Sequence, residues 1–407
     1  MATNKPPALL SLLVHLHAAL LFLPDNHQAA AGAMYNVVRY GARADGSADA
    51  TGPFLRAWAD ACRSPRPATV LVPPGRFLVA HATTFSGPCR SGRVTFASAG
   101  TLVARPASLE SSERWITFEN VDGLRVTGGT LDGRGRALWN CKKKRGSRSS
   151  GHSCPAGATS LTISNSRGVE VDGVRSVDSE MFHVVVIQCE RVTLRGVTVQ
   201  APADSPNTDG IHVHMSSHVA VFDARVSTGD DCVSIGPGNS NLWIERVACG
   251  PGHGISIGSL GKQQGMAMEV VQNVTVKTAW FTGTTNGLRI KTWGGPKRGV
   301  VRDVTFMDAT MAGVENPIII DQNYCPNDAG CPSSRSSSIK ITDVRYVGIR
   351  GSSATPVAVN LDCSRSSPCS GISLQDVALT YRNRVAKSYC RNVQGTQLGL
   401  VLPQGCL

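Results

Sequence analysis

With 407 residues, 41% of them apolar, the chain can bury a sizeable core, and no break along it asks for a second domain. Its formal charge of +12 suits an anionic polymer as partner. Nucleic acid is excluded as that polymer: aromatics make up only 5%, no nucleic-acid-binding module is visible, and the N-terminus reads as a secretion signal.

Lys5 precedes an apolar run over residues 8–23, and small residues follow over 29–33. This is the layout of a secretory signal peptide occupying residues 1–31, with cleavage near Ala31 or Ala33. A membrane anchor is the alternative, but His15 and His17 interrupt a run shorter than the roughly 20 residues a spanning helix needs. Lys5 and Asp25 cancel, so the mature chain, read as one domain over residues 34–407, keeps the whole positive excess. It is expected outside the cell or in the cell wall, off the membrane after cleavage, and monomeric. Residues 51–62 read as a helix capped at Thr51 that closes one end of the fold and hides its strand edges. The densest basic run, Lys142-Lys143-Lys144-Arg145, lies in a Gly/Ser-rich stretch between Cys141 and Cys154. It reads as a solvated loop, with a polymer contact as the alternative.

From about Thr162 onward, short β-branched runs alternate with Gly, Asn, Asp and Ser, and almost no helical period is present. Aligning DGIHV (209–213), DCVSI (231–235) and HGISI (253–257) puts equivalent positions 22 residues apart, twice in succession. Related runs follow at 286–290, 316–320 and 355–359 with longer insertions between them. Such a period is too short for a propeller blade and fits an all-β solenoid, a right-handed parallel β-helix with a short N-terminal capping helix. Coils in that fold stack about 4.8 Å apart, so residues 22 apart form columns.

Alternation along each strand sends Ile211, Val213, Val233, Ile235, Ile255, Ile257, Leu288 and Ile290 into the core and their neighbours outward. One outward column is His212, Ser234, Ser256 and Arg289, and the next is His214, Gly236, Gly258 and Lys291. A third, at the turns entering these strands, is Asp209, Asp231, His253 and Asn286, with Asp230 beside it. Gly236 and Gly258, lacking side chains, open a groove along the charged column. Clustered aspartates on a solenoid can serve a structural calcium ion. Here His253, Arg289 and Lys291 stand next along and repel a cation, so no metal or cofactor is expected and catalysis is favoured. His212 and His214 read as groove-lining or solvated, since no third ligand stands at zinc-site spacing.

Paired carboxylates in a groove suit glycoside hydrolysis, one acting as acid and the other as base or nucleophile. Proximity of Asp209 and Asp231 should raise the proton affinity of at least one group in the cluster. Arg289 and Lys291, two apart on one strand face, suit a sugar carboxylate, which makes a polyuronide the expected substrate.

Thirteen cysteines in a secreted chain imply several disulfides and one thiol left over. Short loop-closing spacings favour Cys325 with Cys331, Cys363 with Cys369, Cys390 with Cys406, and Cys232 with Cys249, with Cys189 a buried free thiol. Asn273-Val274-Thr275 is a glycosylation sequon, or a strand asparagine that is never modified.

The assembled residues resemble the polygalacturonases, glycoside hydrolase family 28, over nearly the whole mature chain. Four motifs carry the resemblance: NTDG (207–210), GDDC (229–232), GHG (252–254) and RIK (289–291), in the family's order and spacing. Residues 35–51, 129–135 and 316–325 are similar to plant members, and 363–381 with the tail 402–407 to plant exopolygalacturonases, including those of pollen. The resemblance implies that Asp230 protonates the glycosidic oxygen while Asp209 and Asp231 activate water, with inversion, and that His253 tunes the acid. It further implies that Arg289 and Lys291 hold the galacturonate carboxylate and that Tyr324 and Asn207 contact the sugar. De-esterified pectin is the implied substrate, cut from chain ends; exo action needs loops that block one end of the groove, and insertions such as 142–153 are candidates for that role. Two rivals stay open: a pectate lyase on the same fold, and a silent wall protein that only binds pectin.

Overall fold

Residues 1–2, 32–105, 113–147, 154–262, 268–326, 331, 336–404 and 406–407 are described by the computed structural model of the protein. Nearly all of residues 1–31, and with them the expected signal peptide, lie outside the described residues, as does the 148–153 part of the basic insertion. By itself, Ala33–Leu407 is one compact unit. No helix among the described residues is long and apolar enough to cross a membrane.

The 22-residue period becomes a coil of three strands. Ile211–His214 is followed by Ser217–Phe222 and Arg225–Ser227, and the chain then returns at Val233–Ile235 to lie beside its starting strand. Among the described residues the lateral pairings are parallel apart from a short hairpin, Tyr381 with Arg384. Parallel strands reached by a crossover wind right-handed, so the coils build a right-handed parallel β-helix. The face carrying the sequence motifs is an 11-stranded sheet running from Thr83–Ser86 to Lys387–Arg391.

Register explains the aliphatic alternation. Ile163, Val186, Val213, Ile235, Ile257, Ile290, Ile320 and Leu361 pair in succession as one interior column. Every one of them is fully buried. At a rate of roughly 1.5–3 kcal/mol per buried aliphatic side chain, such columns drive the stacking. The Gly, Asn and Asp punctuation has an equally local cause. Gly196, Asp223, Arg246, Thr278, Asp308 and Gly348 follow paired residues of successive coils, and all have φ between 54° and 65°. A left-handed residue turns the chain from one face to the next, and Gly, Asn and Asp adopt it at least cost.

The helix α1, Thr51–Arg63, buries Phe54, Ala57, Trp58 and Ala61 over the first coils. Thr51 is not its cap. It is the first helical residue, and Asp49 Oδ1 accepts from its backbone N–H at 3.0 Å and its hydroxyl at 2.6 Å. The basic run is not a loop: residues 142–145 fall in a second helix, α2, Arg136–Ser147. Leu138 and Trp139 are buried and fasten α2, so two apolar contacts outweighed its polar composition.

Six disulfides form among the described residues, including the four expected from spacing. Cys62–Cys89 and Cys141–Cys154 add two that short loop closure did not single out. Cys189 is free and buried.

Candidate active site

The first outward column read from the sequence coincides with hydrogen-bonded register. His212 pairs with Ser234, Ser234 with Ser256, and Ser256 with Arg289. Beside them a cleft of ≈ 360 Å³ is lined by Asp209, Asp230, Asp231, His212, His214, Gly236, Gly258, Lys291, Tyr324 and Asn207, among others. The glycines shape it as expected. A Cβ on Gly236 would stand 2.8 Å from His214 Nδ1, and one on Gly258 would stand 2.1 Å from the Lys291 carbonyl oxygen.

Asp231 is the most enclosed carboxylate. Its Oδ1 accepts from Arg289 Nη2 at 2.6 Å and Ser256 Oγ at 2.8 Å, and its Oδ2 accepts from Lys291 Nζ at 2.7 Å. Burial pushes this carboxyl up, yet Lys291 and Arg289 outweigh burial and hold it at about 2. It is ionised at any working pH. Asp209, one coil earlier, has a different fate. Burial first, then the charges of Asp230 and Asp231, push its carboxyl well above the usual carboxylate range, against a 2.6 Å hydrogen bond from Ser234 Oγ to its Oδ2. The sequence-based expectation of a raised proton affinity in the cluster is therefore met at Asp209.

Asp230 is the more open member, its side chain 21% exposed. Its Oδ1 accepts from the Asp231 backbone N–H at 2.8 Å and lies 3.0 Å from His253 Nδ1. His253 is tied to the same turn by its own N–H, which donates to the Asp230 carbonyl at 2.7 Å. Tyr324 stands over the cations, its ring centroid 5.3 Å from Lys291 Nζ and 5.9 Å from Arg289 Cζ, with Trp293 edge-on at 5.5 Å. Asn207 adopts a left-handed φ of 55° at the turn before Asp209 and reaches the cleft wall.

Asp230, Asp231 and His253 offer ligand atoms within 4.8 Å of one another. Two fixed positive groups already bond Asp231, so any cation entering there would face the repulsion that the sequence suggests. His212 and His214 line the cleft, as expected, and stack with ring centroids 6.0 Å apart. Phe182 continues that wall, 5.0 Å from His212. Reading the sequence gave Phe182, Lys262, Ser234 and Ser256 no role. The two serines were already in a named column, and the signal that marks them is a hydroxyl between two charged positions.

The sequence profile of glycosyl hydrolases family 28 matches residues 62–400. A polygalacturonase of Prunus persica is 52% identical over 385 residues, covering 94% of this chain and 95% of the relative. An exopolygalacturonase of Platanus acerifolia is 41% identical over 380 residues, covering 91% and 97%. Among solved structures, an endo-xylogalacturonan hydrolase from Aspergillus tubingensis superposes with a TM-score of 0.76 at 23% identity, over 89% of this chain and 96% of that one. That likeness concerns the fold, whereas the two plant relatives match the chain almost end to end. With a profile spanning every residue of the cleft and relatives of this identity, the chain belongs to glycosyl hydrolases family 28.

Proposed function

We propose that the protein hydrolyses α-1,4-galacturonosyl linkages of de-esterified pectin, acting from chain ends. The observation that carries this reading is a cleft in which Asp209, Asp230 and Asp231 meet two buried cations. The plant relatives named polygalacturonase and exopolygalacturonase support the substrate and the exo mode.

In this reading Asp230, open to the cleft and beside His253, gives its proton to the glycosidic oxygen as the bond to the anomeric carbon breaks. Asp209 and Asp231 orient the attacking water. Asp231 stays charged, while Asp209 takes the water's proton in molecules whose Asp209 carboxyl is ionised, a fraction that grows as pH rises. Inversion is taken from the family resemblance, since carboxylates one coil apart lie closer than the roughly 6.5–9.5 Å usual for inverting pairs. Arg289 and Lys291 present their remaining N–H groups to a galacturonate carboxylate, and Tyr324 and Asn207 flank the sugar. Exo action gains support from α2. Lys142 Nζ donates to the Ala156 carbonyl at 3.3 Å and touches Met181 Sδ at 3.0 Å, next to the cleft residue Phe182, and Lys143 pairs with Asp204, close to Asn207. These contacts fasten α2 to the chain beside Phe182, which the exo reading needs of an insertion that narrows the cleft.

Residues 1–31 are proposed as a signal peptide directing a monomer to the cell wall, and the six disulfides suit an oxidising compartment. One experiment tests the activity. Secreted protein and Asp230→Asn are incubated with polygalacturonate and a chelator, following reducing ends, ultraviolet absorbance and retention on substrate. Reducing ends from the parent alone, with galacturonate monomer as first product, are expected. An unsaturated product would mark a lyase, and retention without new ends a binding protein.

A further inference from the structure

The two buried aspartates of the cleft are held by the same device, used twice. Asp209 and Asp231 occupy equivalent positions one coil apart, and each accepts from a serine hydroxyl 25 residues further on, Ser234 and Ser256. Both serines are essentially buried, at 2% and 0% exposure, and neither is free to hydrogen-bond water instead. Behind each serine stands a second donor from the same outward column. For Ser256 it is Arg289, whose Nε donates at 2.9 Å. For Ser234 it is His212, whose Nδ1 lies at 2.8 Å.

The difference between the two donors is charge. Arg289 also bonds Asp231 directly, so the Ser256 hydroxyl completes a fully ionised cluster. His212 is enclosed, and burial together with His214 keeps it neutral down to about pH 4. A serine oxygen has one proton to give. When Asp209 is ionised that proton goes to its Oδ2, and Ser234 can then only accept from His212, which requires the imidazole to carry its proton on Nδ1. The order of donation is then His212 Nδ1–H to Ser234 Oγ, and Ser234 Oγ–H to Asp209 Oδ2. It leaves Asp209 Oδ1 as the oxygen without this donor.

We propose that Ser234 and His212 are positioning residues for Asp209: their donor chain fixes one carboxyl oxygen and leaves the other to the attacking water. This rests on the hydrolytic reading above. The charged groups that bear on Asp209 are Asp230 and Asp231 from the next coil and Lys291 from the strand Asn286–Trp293, while His212, joined to it through Ser234, stands with His214 in the strand that follows it. Only the Ser234 donor is removed by Ser234→Ala. Because the lost hydrogen bond favours the charged carboxylate, its removal raises the proton affinity of Asp209 further. A hydrogen bond to a charged group is worth roughly one pH unit of such a shift.

The test compares the parent, Ser234→Ala and Ser234→Thr. In Ser234→Ala the rising limb of the kcat/KM–pH profile on polygalacturonate moves up by about one pH unit, with KM changed little. Ser234→Thr, which keeps the hydroxyl, restores the parent limb. Independently of activity, 15N shifts of the His212 imidazole in the full chain report the Nδ1–H tautomer in the parent and its loss in Ser234→Ala. Superimposable profiles for parent and Ser234→Ala, or an Nε2–H tautomer in the parent at a pH above its rising limb, where Asp209 is ionised, overturn the proposal. A parent that makes no reducing ends sinks the hydrolytic reading instead, and the tautomer measurement still decides the donor chain.

Discussion

Lys291 Nζ stands 2.7 Å from Asp231 Oδ2, a contact between residues 60 positions apart that the coil brings together, with both side chains under 10% exposed. Together with Arg289, it keeps Asp231 ionised down to about pH 2, and so sets the fixed charge against which Asp209 titrates.

Lys291→Ala breaks a buried ion pair from one side. Removing one member of such a pair costs about 3 kcal/mol, the lower part of its usual range because Arg289 remains. The thermal midpoint should fall measurably, and kcat/KM on polygalacturonate should drop at least ~100-fold, as when a preorganised charge is lost. A variant that keeps parental kcat/KM would show that the cation serves folding only.

The pH dependence of stability separates Asp209 from Asp231. The Asp231 carboxyl is depressed to about 2, so its contribution is complete above the unfolded value near ~3.9 and is lost as pH falls toward 2. Asp209 has the opposite sign. Its folded carboxyl binds a proton more tightly than the unfolded one, so stability is complete below ~3.9 and is lost as pH rises through the folded value. Asp209→Asn cannot ionise and should gain on the parent in thermal midpoint as pH rises. The comparison cancels His183, a buried neutral imidazole that acts in the acid range on both proteins alike, whereas His212, joined to Asp209 through Ser234, acts only near pH 4. Parallel midpoint curves for the two proteins from pH 4 to 8 would remove the case for a proton on Asp209.

Gly258 has a left-handed φ of 114°, and a Cβ there would stand 2.1 Å from the Lys291 carbonyl and 3.0 Å from Lys291 Cγ. Gly258→Ala should therefore displace the Lys291 strand. The expected result is a loss of kcat/KM of more than ~10-fold, through misplaced contacts, together with a lower thermal midpoint. Gly173→Ala, at a left-handed corner where a Cβ meets nothing within 4 Å, serves as the comparison for backbone strain alone.

Cys232–Cys249 lies directly beside Asp231 and closes a span of 17 residues. Replacing both cysteines by alanine should cost about 3 kcal/mol, judged by the loop length. The reducing-end assay should show a fall in kcat as well, because the bridge fixes the residue next to the ionised carboxylate. Unchanged kcat at a lowered thermal midpoint would confine the bridge to stability.

The repeat and the columns were legible because each is a local rule applied every coil. Burial of Ile211, Val233 and Ile255 demands alternation, and alternation sends His212, Ser234 and Ser256 to one outward line. Helix α2 was misread because its lysines dominate the composition, whereas the side chains that fasten it are Leu138 and Trp139. Cys62–Cys89 was missed for a related reason: α1 carries Cys62 to its partner, which a search for short loops does not see.

From sequence alone came the solenoid, its period, the aspartate column and the cations beyond it, because spacing along a repeating coil translates directly into neighbours in space. What separates Asp209 from Asp231 came only from the folded chain. Their motifs are equivalent, and both are buried. One stands within hydrogen-bond reach of Arg289 and Lys291, while the other accepts from a serine backed by a neutral histidine. Proton affinity depends on which donors and charges lie within a few ångströms, and that distance is set by side-chain packing between coils rather than by position within one.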